Sequence, residues 1–116
     1  MEQVFQRLAA NEPVAFLIDH SYSGRGIEID FFGRKTIIPK GAAIAALKTG
    51  APILPMCGVR EGDFNYKLIY KDMIDYSITG ELEKDIQNIL KKCIKAIEDL
   101  IKDYPDQWVL IRNAWP

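Results

Sequence analysis

The residues able to do chemistry crowd into one stretch, between Phe16 and Pro55. Asp19-His20-Ser21-Tyr22-Ser23-Gly24-Arg25-Gly26 sets a carboxylate, an imidazole and a guanidinium in a Gly/Ser-rich loop, Phe31-Phe32-Gly33 runs into Arg34 and Lys35, and Pro39-Lys40-Gly41 adds a further cation. The apolar run 14–18 ends abruptly at Asp19-His20, the pattern of a buried strand that delivers polar side chains to the rim of a sheet. Polar groups at such a rim are where α/β proteins usually bind ligands. A structural reading stands beside this one. A lone histidine at a strand end is often only a hydrogen-bonded structural residue, and Arg34 and Lys35 can equally be solvated turn residues.

Other chemistries are poorly served. His20 is the only histidine, and Cys57 and Cys93 lie far apart in sequence, so the chain offers no zinc-ligand cluster and calls for no metal or cofactor. Both cysteines read as buried thiols of a reducing compartment. A hydrolase using His20 with Asp19 or Asp30 as base and orienter would need a nucleophile, and no serine or cysteine sits in a recognisable nucleophile turn. With a net charge of -1, no global field favours nucleic acid, and any basic site must be local. No apolar run approaches the ~20 residues that span a bilayer, and the N-terminus does not read as a signal peptide.

Positioning these groups falls to a chain of globular proportions, 116 residues with 48% hydrophobic and 27% charged, room for one modest domain over 1–116. Val4, Phe5, Leu8 and Ala9 have helical spacing, with Asn11 as a C-cap and Pro13 beyond. Strands are expected at 14–18 and 27–32, with 35–38 a short third or the tail of a bend. In the second, Ile27, Ile29 and Phe31 share one face and Glu28, Asp30 and Phe32 the other. Of Phe31 and Phe32, at least one should therefore be core. A small alanine-rich helix follows over 42–48, started by Pro39 and ended by Gly50. A strand reaching Val59 or Arg60 and the alternation Phe64, Tyr66, Leu68, Tyr70 predict a hairpin with one face packed. Leu82, Ile86, Ile89, Leu90, Cys93, Ile94, Ile97, Leu100 and Ile101 recur on one face of a long helix that stops at Tyr104-Pro105. Its polar face mixes both charge signs, which favours a helix covering a sheet over one lying on a membrane. A last buried strand is expected from Trp108 to Ile111, with Trp108 packed and Trp115 nearer an open end.

Four groups of residues, taken together, carry a resemblance. Phe16-Leu17-Ile18-Asp19-His20, Phe31-Phe32-Gly33, the run from Lys40-Gly41-Ala42 through Thr49-Gly50-Ala51-Pro52-Ile53-Leu54-Pro55, and Glu98-x-x-Ile101-x-x-Tyr104-Pro105-x-Gln107-Trp108 occur in an order and spacing similar to the C-terminal half of the lipid A biosynthesis acyltransferases. The resemblance implies an incomplete glycerolipid-acyltransferase-like α/β fold, a mixed sheet flanked by helices whose N-terminal half is missing. It implies transfer of a fatty acyl chain from acyl carrier protein or coenzyme A to a hydroxyl of a phosphorylated glycolipid, the lipid A precursor, at the cytoplasmic face of the inner membrane. Membrane contact would be peripheral within this chain.

The family's reaction centre is His-x-x-x-x-Asp/Glu, a general base and the carboxylate that orients it. Position +5 from His20 is Arg25, so His20 does not meet that pattern and no catalytic residue is assigned. The resemblance instead places Asp19 and His20 at the acceptor phosphate, with Arg25, Arg34, Lys35, Lys40 and the amides around Gly41 as further anion partners. Phe31 and Phe32 become candidates for touching an acyl chain. Leu110, Arg112, Asn113 and Ala114 depart from the family's more basic ending. The alternative is a non-catalytic module that binds phosphorylated lipid, an acyl carrier protein or a partner supplying the rest. A truncated sheet would also expose an edge and an apolar patch, which predicts self-association.

Overall fold

The structure, a computed structural model, describes residues 1–19, 21 and 23–108. Its elements in order are α1 (Glu2–Ala9), β1 (Ile27–Phe31), β2 (Arg34–Ile38), α2 (Gly41–Thr49), β3 (Met56–Arg60), β4 (Tyr66–Tyr70), α3 (Leu82–Asp103) and a 3-10 turn, Pro105–Gln107. The class is α/β, as the sequence implies. Among the described residues the strands form two antiparallel pairs, β1 with β2 and β3 with β4, where one mixed sheet was expected. Short connections explain the sense of pairing, because a tight turn can only return the chain antiparallel to itself.

The β1–β2 turn is Phe32-Gly33, and both residues have positive φ, 51° and 78°. That is the type I′ geometry whose twist suits a two-residue hairpin. Register follows from it: Phe31 faces Arg34, Ile29 faces Thr36 and Ile27 faces Ile38. At the far end Gly26 has φ 150°, and a Cβ there would lie 2.0 Å from the Ile38 carbonyl oxygen, so only glycine lets the chain enter this hairpin.

Period-two alternation puts Ile29, Phe31 and Ile38 on the inner face, where they meet Ile86, Ile89, Leu90, Cys93 and Ile94 of α3. This is the core. Burial pushes the Cys93 thiol up to about 11, which leaves it a small inert hydrophobe. The alanines of α2 (Ala42, Ala43, Ala45, Ala46) are buried, and small side chains let that helix lie close to its neighbours. Gly50 ends α2 in the left-handed conformation, as its position implied.

Three expectations change. Residues 14–18 form no strand, since no strand pairs with them among the described residues. The β3–β4 hairpin forms, but Tyr66, Leu68 and Tyr70, the face expected to be packed, are exposed, and it is Val59 on the opposite face that is buried. Alternation fixes which residues share a face and is silent on which face is covered. The first helix ends at Ala9 with Ala10 as its C-cap, one residue before Asn11, which takes φ 60°. The strand expected through Ile111 and the residue Trp115 lie outside the described residues, apart from Trp108.

Candidate functional site

The end of α3 and the turn after it tie the separate parts together. Glu98, on the penultimate turns of α3, accepts the Phe32 backbone N–H at its Oε1, 2.7 Å away. A carboxylate acceptor makes this bond stronger than a neutral one would, and it fastens a residue whose left-handed backbone is otherwise unfavourable for a bulky side chain. Trp108 follows the 3-10 turn and donates its Nε1–H to Asp19 Oδ2 at 3.0 Å. Its indole also meets Phe31 edge-on, centroids 5.7 Å apart at 83°, and Phe32 at 6.2 Å. Gln107 serves the other hairpin: its Oε1 accepts from the Arg60 N–H and its Nε2 donates to the Arg60 carbonyl.

These contacts frame an open groove of about 350 Å³. Its walls are Phe16, Leu17, Ile18 and Asp19 on one side, Met56, Cys57 and Gly58 of β3 on another, and Ile97, Leu100, Ile101, Tyr104, Gln107 and Trp108 from α3 and its end. The lining is mostly apolar, with the Asp19–Trp108 pair as a polar end. Apolar walls with a few fixed polar groups are the usual make-up of a small-ligand site. Burial pushes the Cys57 thiol up, against the nearby Lys71 ammonium that acts the other way. It is not poised as a nucleophile.

The six described candidates for the phosphate site fall into two groups. Arg34 and Lys35 leave the Phe32-Gly33 turn, and Asp19 is joined to that end through Trp108. Arg25 and Lys40 flank the opposite end of the hairpin, where Ile27 pairs with Ile38, some five residues or roughly 15 Å of strand away. Lys40 is half-buried and 4.0 Å from Glu83. Gly41 opens α2 against the Phe16 ring, whose edge a Cβ at Gly41 would meet at 3.0 Å. Arg25 is exposed, its loop held by bonds between Ser21, Ser23 and its own backbone. His20 lies outside the described residues. Phe31 is fully buried and belongs to the core, so of the two aromatics only Phe32 keeps a partly exposed ring.

A family model for bacterial lipid A biosynthesis acyltransferases matches residues 1–116. The chain belongs to this family. Among curated proteins it is 27% identical over 114 residues to a phosphatidylinositol mannoside acyltransferase of Mycolicibacterium smegmatis, covering 98% of this chain and 36% of that protein. It is 25% identical over 115 residues to a protein of the same name from Mycobacterium tuberculosis, covering 98% of this chain and 34% of that one. The chain thus spans about a third of the length of these curated relatives. Within the lipid A acyltransferase family segment, Glu98, Gln107 and Trp108 are the residues whose roles sequence spacing left unread. The one available signal was their shared spacing with Tyr104-Pro105, which marks a motif without naming its partners 47 to 89 positions upstream. The groove was not legible either, because its walls come from four separate stretches.

Among the described residues no helix is long and apolar enough to cross a membrane.

Proposed function

We propose that this chain is a segment of an acyltransferase that moves a fatty acyl group from acyl carrier protein or coenzyme A onto a hydroxyl of a phosphorylated glycolipid, the lipid A precursor, at the cytoplasmic face of the inner membrane. The observation that carries this reading is a juxtaposition. An apolar groove ends at Trp108, and Trp108 packs on the turn from which Arg34 and Lys35 emerge. A groove beside cations suits an amphiphile with an alkyl part and an anionic head, and both the lipid A family and the phosphatidylinositol mannoside relatives are named for such acceptors.

In this reading the segment binds and orients; it does not transfer protons. His20 has Arg25 at +5, so the chain carries no His-x-x-x-x-Asp/Glu. Asp19 is engaged by Trp108 and acts as the groove's end wall, and His20, Arg34 and Lys35 take the acceptor phosphate. Arg25 and Lys40, at the other end of the hairpin, would meet the acceptor only through a more extended headgroup. Turnover by this chain alone is absent. The same absence of a base and its orienter favours, as the second reading, a module that binds phosphorylated lipid without chemistry of its own.

The test is a binding titration of the chain with a phosphorylated lipid A precursor and with a phosphatidylinositol mannoside, for wild type, His20→Ala and Arg34→Ala at two salt concentrations. Saturable binding that both substitutions weaken, and that salt weakens in wild type more than in Arg34→Ala, is expected. Binding indifferent to both substitutions would remove the phosphate site from this end of the hairpin.

A further inference from the structure

We propose that β4 is the pairing edge of a symmetric dimer, joined antiparallel to β4 of a second copy with Leu68 on the two-fold axis. The starting observation is exposure. Phe64 is 93%, Tyr66 70%, Leu68 55% and Tyr70 51% exposed, an apolar and aromatic strand open to water along its length. Such an unpaired edge is a ready template for another strand.

Hydrogen-bond parity identifies which backbone groups are on offer. Glu61 N–H donates to Asn65 O at 2.8 Å and Lys71 N–H to Pro55 O at 3.0 Å, so the odd-numbered residues of β4 bond inward to β3. In an antiparallel ladder the intervening residues then point their N–H and C=O outward. Those are Tyr66, Leu68 and Tyr70. The outer edge of β3 is different, because the Gln107 side chain already occupies both backbone groups of Arg60. Gln107 thus blocks one end of the β3 edge, whereas among the described residues no hydrogen bond occupies the outward groups of β4.

Charge selects the register. Joining outward groups to outward groups requires even-numbered residues to face even-numbered residues. A two-fold centred on Lys67 would set Lys67 against its own copy, and one centred on Ile69 would set Lys67 against Lys71. Like charges directly opposite destabilise a strand pair. Centring on Leu68 avoids both: Leu68 meets Leu68, Tyr66 meets Tyr70, Lys67 meets Ile69, and all five residues of the strand are paired. The contact is isologous, as a closed dimer demands. It also continues the outer face of β3, where Met56 stands beside Tyr70 and Gly58 beside Leu68, into a four-stranded sheet.

The test is sedimentation of the wild-type chain over a concentration series, alongside Leu68→Lys and with phosphatidylglycerol vesicles as a competing partner. A dimer in wild type, weakened on the order of 100-fold by two ammonium groups across the axis, is expected. Position 68 is exposed, so an unchanged circular dichroism spectrum will show the variant folded. Leu68→Cys supplies an independent readout: oxidation should give a disulfide-linked dimer, whereas wild type, with Cys93 buried and Cys57 half-buried, should not, and neither should Lys91→Cys on the exposed face of α3. A wild type that stays monomeric overturns the proposal, and flotation of that monomer with vesicles would assign the face to a bilayer. A dimer that Leu68→Lys leaves intact and Leu68→Cys fails to link overturns it equally.

Discussion

Phe32 holds a backbone with φ 51°, which large side chains seldom adopt, and three partners keep it there: Gly33 completing the turn, the Glu98 carboxylate on its N–H, and the rings of Phe31 and Trp108 on its side chain. Glu98 is the partner that can be removed without touching the core. Glu98→Ala should destabilise the fold by about 1–3 kcal/mol, the usual cost of leaving a part-buried donor without its acceptor. Glu98→Gln keeps an acceptor oxygen and should recover most of that loss. Urea denaturation of the two variants checks the prediction, and equal losses would mean that Glu98 acts through packing alone. The sequence showed a strand running through Phe32 into a glycine and at least one phenylalanine as core, because alternation and glycine are local signals; the turn itself begins one residue earlier, at Phe32. It did not show the sign of φ at Phe32, nor that the compensating carboxylate lies 66 residues away.

Elements with local causes were legible in proportion to how local those causes are. The helix α3 could be read nearly to its ends, since its i, i+3, i+4 stripe repeats over six turns. The β3–β4 hairpin was legible in pairing and not in covering, and residues 14–18 were apolar enough for a strand but have none paired with them among the described residues. The start of α3 has a device that no periodicity reveals. Asp85 is buried, and its carboxylate accepts both the Thr79 hydroxyl, 2.6 Å, and the Thr79 N–H, 2.9 Å. The Thr79 hydroxyl is the main reason that Asp85 titrates below its ordinary 3.8, with burial acting in the opposite direction. A carboxyl held lower in the folded state than in the unfolded chain adds stability that is complete above the unfolded value and drains away as pH falls through the folded one. Thr79→Val should therefore melt at a lower temperature than wild type near neutral pH, and the two melting curves should converge as pH drops below 3.8. A gap that stays constant through that range would show that the hydroxyl stabilises the loop independently of the charge on Asp85.

At the scale of the molecule, the two hairpins are tied to one another through the end of α3 and the residues that follow it, so the groove between Phe16 and Ile101 is a consequence of how the motif residues are tied and not of any one element. This separates the two halves of the proposed ligand onto different parts of the structure. Arg34 and Lys35 are exposed at the start of β2, just after the turn, and Leu17 is exposed on the rim of the largely apolar groove. Changes at the two places should then be distinguishable by the ligand used to probe them. Leu17→Glu places a carboxylate on the rim of the apolar groove and should weaken binding of an acylated glycolipid roughly 10-fold, the effect of losing most of the apolar contact of one side chain with the ligand. It should leave the deacylated, phosphorylated headgroup nearly unaffected. Arg34→Ala should weaken both ligands alike, with a loss that shrinks as salt is raised. Calorimetric titration of each variant with each ligand decides the matter: if Leu17→Glu also weakened the deacylated headgroup, the groove and the cations would be one continuous polar site, and the alkyl chain would have to lie elsewhere.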